Sequence, residues 1–220
     1  MASILVINPN SSRSVTRSME GCLGIVTSRS DHDVRCIELA KSPPGIETDD
    51  HVAMVIPNIL EMIRNTDADA YVLSCFSDPG IEMARAATSK PVFGIAESAY
   101  LAALGLGKHF GIVSLGPSSI GRHRRYLDTL DLTPRMAGDR SIDMTIPQLV
   151  ANDVVDVVVR TGVKLRDEDG ADVVILGCAG LGTYRAALED ALGLPVVDPV
   201  QAGVALAITT LDLKYRTKAR

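Results

Sequence analysis

The 220-residue chain has no tryptophan, and three phenylalanines and five tyrosines are its whole aromatic complement, so a binding surface built on many stacked rings is not expected. It has no basic surplus: Lys+Arg 22 against Asp+Glu 27 leaves a net charge of −5. That balance argues against a phosphate-backbone binder, and no nucleic-acid partner is expected. No stretch approaches the ~18–20 uninterrupted apolar residues that span a bilayer, so no membrane partner is expected either. The opening Met1-Ala2-Ser3-Ile4-Leu5-Val6-Ile7 has neither a basic n-region nor a small-residue cleavage site. It reads as a first strand, and the expected location is the cytoplasm. Cysteine is sparse, at 22, 36, 75 and 178, with no CxxC pair. The histidines at 32, 51, 109 and 123 show neither HExxH nor zinc-ligand spacing, so no metal site is expected. In a reducing compartment a disulfide framework is not expected. A cysteine used here is used as a thiol.

What is present is an ordinary globular composition, 46% hydrophobic and 22% charged, at a length suited to one or two domains. Short apolar runs alternate with longer helical stretches, the pattern of a parallel α/β sheet. The predicted strands are Ile4–Ile7, Val34–Leu39, Tyr71–Ser74, Val92–Ile95, His109–Ser114, Asp172–Leu176 and Pro195–Val197. Asn10-Ser11-Ser12 caps a helix reaching about Leu23, and Pro117-Ser118-Ser119 opens another over Ile120–Leu130. Asp78-Pro79 reads as the cap and first-turn proline of the helix that follows it. Thr48 to about Thr66 has Ile56, Ile59, Leu60 and Ile63 on one face, with Pro57 expected to kink or restart it. Ile146–Leu165 reads as one helix despite its valine runs.

A self-match organises the chain. Residues 68–75 (Ala-Asp-Ala-Tyr-Val-Leu-Ser-Cys) align with 171–178 (Ala-Asp-Val-Val-Ile-Leu-Gly-Cys) at an offset of 103. Lys90-Pro91-Val92-Phe93 then matches Leu194-Pro195-Val196-Val197, and Ile4–Asn8 resembles Phe110–Ser114. The expected architecture is therefore α/β with two pseudo-symmetric lobes, each a parallel-sheet, flavodoxin-like unit, and an active site between them. Residues 1–98 form one lobe and 99–220 the other, with a C-terminal helix over 200–214 packing back on the first.

Ligands bind beyond the carboxyl ends of strands in open parallel sheets. Cys75 and Cys178 both lie there, at equivalent places in the two halves, each followed by a turn of small residues (Phe76-Ser77-Asp78-Pro79-Gly80; Ala179-Gly180-Leu181-Gly182). Backbone N–H groups in such turns can face a developing oxyanion or favour a thiolate. Two thiols across one cleft suit inversion of a stereocentre bearing an acidic proton: one base removes it from one face, and a conjugate acid supplies another to the opposite face. A thiol's reference pKa of ~8.5 keeps both forms accessible near neutrality.

Taken together, Ile4-Leu5-Val6-Ile7-Asn8-Pro9-Asn10-Ser11, Ser74-Cys75-Phe76-Ser77-Asp78-Pro79-Gly80 and Gly177-Cys178-Ala179-Gly180 resemble the hydantoin racemase branch of the aspartate/glutamate racemase superfamily, which includes allantoin racemases. The resemblance covers nearly the whole chain. It implies a cofactor-independent isomerase, a homo-oligomer acting on a small-molecule substrate, with Cys75 and Cys178 as the acid/base pair. Glutamate racemases resemble one another in Cys-Asn-Thr and Cys-Thr-His loops, where this chain has Cys75-Phe76-Ser77 and Cys178-Ala179-Gly180. A ring with a polarised carbonyl fits that cleft better than a zwitterion does. Arylmalonate decarboxylases look similar but keep one of the two cysteines.

Candidate substrate contacts are Asn10, Ser11, Ile46, Phe76, Ser77, Gly116, Pro117, Ala179 and Gly180, with Pro43–Thr48 as a cover. Cys22 and Cys36 read as core, Arg122-His123-Arg124-Arg125 as a solvated face, Asp167–Gly170 as a polar loop, and Lys214–Arg220 as a frayed tail. The competing functions are a racemase or isomerase of another small carbonyl acid, such as an amino acid, a non-catalytic binding protein, and a redox pair formed by the two thiols. The few aromatic rings favour allantoin or aliphatic hydantoins, although Phe76 lies beside a thiol.

Overall fold

The computed structural model describes residues 1–216. Two four-stranded parallel sheets carry the chain, and their strand orders are the same: β2-β1-β3-β4 and β6-β5-β7-β8. In the first, β1 (Ser3–Asn8), β2 (Asp33–Glu38), β3 (Ala70–Leu73) and β4 (Val92–Gly94) alternate with α1 (Arg13–Thr27), α2 (Asp49–Asn65), α3 (Ile81–Ala87) and α4 (Ile95–Leu104). In the second, β5 (Phe110–Ser114), α5 (Pro117–Thr129), β6 (Met136–Ser141), α6 (Ile146–Ala151), α7 (Val155–Asp167), β7 (Val173–Gly177), α8 (Arg185–Leu192), β8 (Val196–Val197) and α9 (Pro199–Asp212) follow in order. The central strands β3, β5 and β7 are buried at every position, as apolar strands covered on both faces must be. Registers agree between halves, with Ile4 opposite Ala70 in one and Phe110 opposite Val173 in the other.

The last helix of each half packs across the boundary. Ala96, Ala99, Tyr100 and Ala103 of α4 share a core with Phe110, Ile112, Val173 and Ile175 of the second sheet. Val200, Val204 and Ala207 of α9 share one with Ile4, Val6 and Val72 of the first. The expected division at 98/99 falls inside α4. No helix among the described residues is long and apolar enough to cross a membrane.

Several expectations are corrected. The strand β6 (Met136–Ser141) joins those expected; Met-Ala-Gly-Asp-Arg-Ser at a half-buried sheet edge offers no apolar run to announce it. The single helix expected over Ile146–Leu165 is two, separated at Asn152, whose extended backbone (φ −126°, ψ 153°) ends the first. Ile95 begins α4 rather than ending β4. α2 runs unbroken through Pro57, where the carbonyl that loses its donor belongs to exposed Ala53 and is free to face water. Asp78 does not cap the helix that follows it. Gly80, in the left-handed region at φ 66°, occupies that position, and Asp78 instead accepts from the Ala96 and Glu97 N–H groups at the start of α4, 3.0 and 2.9 Å away. In the expected frayed tail, the Lys214 and Tyr215 N–H groups still bond to Leu211 and Thr210 carbonyls, while residues 217–220 lie outside the described ones.

Candidate active site

Cys75 follows β3 and Cys178 follows β7, so the equivalent strand ends deliver both sulfurs to one cavity of about 440 Å³ between the halves. Cys75 is partly open and Cys178 is buried. Each sulfur accepts the backbone N–H two residues on, from Ser77 for Cys75 and from Gly180, 3.4 Å away, for Cys178. These donors favour thiolate, but enclosure outweighs them and pushes the thiols up to about 12 at Cys75 and about 11 at Cys178. The charges of Cys178 and Asp78 add to the rise at Cys75, and the Arg122 guanidinium opposes it. Asp198 and Glu47 act on Cys178 in the upward direction. At rest both are thiols, and either, once ionised, is a strong base.

Of the expected contacts, Asn10, Ile46, Phe76, Ser77, Gly116, Pro117 and Ala179 line the cavity. Ser11 and Gly180 do not: the Ser11 N–H bonds to the Pro43 carbonyl, and the Gly180 N–H is turned to the sulfur rather than outward. Asn10 serves both readings, because it lines the cavity while its side-chain oxygen accepts the Ser12 N–H at 2.8 Å.

The Pro43–Thr48 segment is clasped from the second half. The Glu47 carbonyl accepts from Ser118 Oγ at 2.6 Å and Arg122 Nη1 at 3.2 Å, and its carboxylate Oε1 accepts the Ile146 N–H at 2.9 Å. Arg125 pairs with Asp49 at 2.7 Å on the outside. Glu47, from the expected cover, and Ser118, in the stretch with Gly116 and Pro117 expected to border the cleft, line the cavity too. Arg122, His123 and Asp143–Ile146 also line it and were not expected there.

The solvated face expected for Arg122–Arg125 holds for Arg124 and Arg125 alone. The Arg122 side chain is 9% exposed, and His123 is 2% exposed. Cys22 and Cys36 are buried in the main core, as expected. Glu168 and Asp169 of the expected polar loop pair with Arg140 at 2.8 and 2.6 Å, which fastens β6 to the turn before β7.

The family model for Asp/Glu/Hydantoin racemase matches residues 4–207. The hydantoin racemase of Pseudomonas sp. (strain NS671) is 32% identical, over 97% of this chain and 88% of that protein. That of Paenarthrobacter aurescens is also 32% identical, over 97% of this chain and 93% of its own. Among solved structures, allantoin racemase from Klebsiella pneumoniae superposes with a TM-score of 0.94 at 27% identity, covering 99% of this chain and 91% of that one.

Proposed function

The chain belongs to the Asp/Glu/hydantoin racemase family and is an isomerase, and we propose that it racemises 5-substituted hydantoins, allantoin included, without a cofactor. One sulfur, as thiolate, takes the proton from the ring carbon, and the charge spreads into the adjacent carbonyl as an enolate. The other, as thiol, returns a proton from the opposite face. The roles have then exchanged, so the enzyme is set for the reverse reaction until its thiols re-equilibrate with solvent.

The observation that carries this reading is the pair of thiols that line one cavity from equivalent strand ends of the two halves, each held by the N–H two residues on. The similarity to hydantoin racemases in sequence and to an allantoin racemase in structure supports the substrate class. The proposal extends to a homo-oligomer in the cytoplasm, which light scattering of the purified protein tests in its first part. For the activity, polarimetry in heavy water compares an enantiopure hydantoin, L-allantoin and L-glutamate. The expected result is decay of rotation with deuterium uptake for the hydantoins and none for glutamate. Binding without loss of rotation would make the protein a receptor, and turnover of glutamate alone would make it an amino-acid racemase.

A further inference from the structure

Resting on the hydantoin reading, we propose that His123 orients the substrate, its Nε2 accepting a hydrogen bond from a ring N–H. The imidazole is 2% exposed, and its Nδ1 lies 2.8 Å from Asp139 Oδ2 on a side chain 1% exposed. Ser114 Oγ lies 3.2 Å from the same nitrogen and donates to the other Asp139 oxygen. A carboxylate only accepts, so Nδ1 carries the proton, and in the neutral form of that ring the lone pair is at Nε2. That nitrogen has no protein partner among the described residues, and the ring lies on the cavity wall. Phe76, the residue after Cys75, stands at 88° to the imidazole with centroids 5.0 Å apart, fixing its tilt.

The trio is not a nucleophilic serine arrangement. There the serine meets Nε2 and the acid meets Nδ1, whereas here both crowd Nδ1 and leave the far edge for something else. Hydantoins carry ring N–H donors, and a buried acceptor built for such a donor rejects an analogue lacking it.

The test compares a 5-substituted hydantoin with its N1-methyl and N3-methyl derivatives. For the wild type, kcat/KM should fall by roughly 10²-fold or more for one methylated isomer. Asp139→Asn presents an amide N–H to Nδ1 and moves the imidazole proton to Nε2, with almost no change in volume. In that variant KM for the parent should rise about tenfold, the discrimination should shrink to within about threefold, and ¹⁵N NMR should report the exchanged tautomer. His123→Ala should also lose the discrimination. Equal handling of parent and both methylated rings by the wild type, or full discrimination in Asp139→Asn with the tautomer exchanged, overturns the inference while leaving hydantoin racemisation standing. If the wild type racemises no hydantoin, the parent reading falls and this one falls with it.

Discussion

The two halves agree in strand order, in the position of the thiol and in the N–H that faces it, yet they cap their last helices in opposite ways. In the first half the carboxylate comes from the cysteine loop: Asp78 reaches the start of α4 and fills the space over Gly94, where an added Cβ would come within 2.1 Å of it. In the second, Asp198 sits at the position matching Gly94 and accepts the Gln201 N–H at 2.7 Å. The glycine is now in the cysteine loop, where a Cβ on Gly182 would meet the Asp198 carboxylate at 2.4 Å. Both halves thus place one buried carboxylate between the thiol loop and the crossing helix. What they do not share is which strand end supplies it.

The largest effect concerns the thiols. Since enclosure holds both far above neutrality, the proposed base is a minor form at pH 7, and kcat/KM should climb about tenfold per pH unit from roughly pH 7 to 9. The sign is fixed by chemistry, because raising pH creates thiolate while the partner stays protonated. A flat profile would show that something else lowers one thiol.

Exchanging the caps comes next. Asp78→Gly removes the acceptor from the buried Ala96 N–H and the partly buried Glu97 N–H and should cost ~1–3 kcal/mol in urea unfolding. Gly94→Asp drives a second carboxylate into the space that Asp78 fills and should cost at least as much. The double variant rebuilds the second half's arrangement inside the first and should recover half of the summed loss or more. Simple addition of the two losses would mean the halves are not interchangeable here.

A further effect is in stability against pH. Burial pushes Asp78 up to about 7 and Asp198 up to about 6. A carboxylate held above its unfolded value takes up a proton on folding, so its ionisation costs stability as pH rises from about 4, and the whole cost is present above the folded value. Wild-type stability should therefore decline from about pH 4 to 7. Asp198→Asn should remove the part between about 4 and 6, on the order of 3 kcal/mol. A wild-type curve that rises over that range would contradict the assignment.

How far the sequence could be read follows from where its signals are written. Buried parallel strands appear as apolar runs, so β1, β3, β5 and β7 were legible, and with them the duplication and both strand-end cysteines. Met136–Ser141 carries no such run, and its loss from the reading hid Asp139. Without Asp139, the histidine inside Arg122–Arg125 had no visible partner and passed for part of a wet helix face. The missed strand and the missed cavity residue are one miss. Asp78 misled for a related reason: a cap motif is local, but its carboxylate was used on a helix eighteen and nineteen residues away.

The most direct measurement follows hydrogen exchange at the ring carbon, in heavy water, for each enantiomer separately with Cys75→Ser and Cys178→Ser. Each variant should wash the label into one hand only, opposite hands for the two, with racemic turnover lost by roughly 10³-fold or more. Sustained racemisation in either variant, or both variants labelling the same hand, would contradict the account.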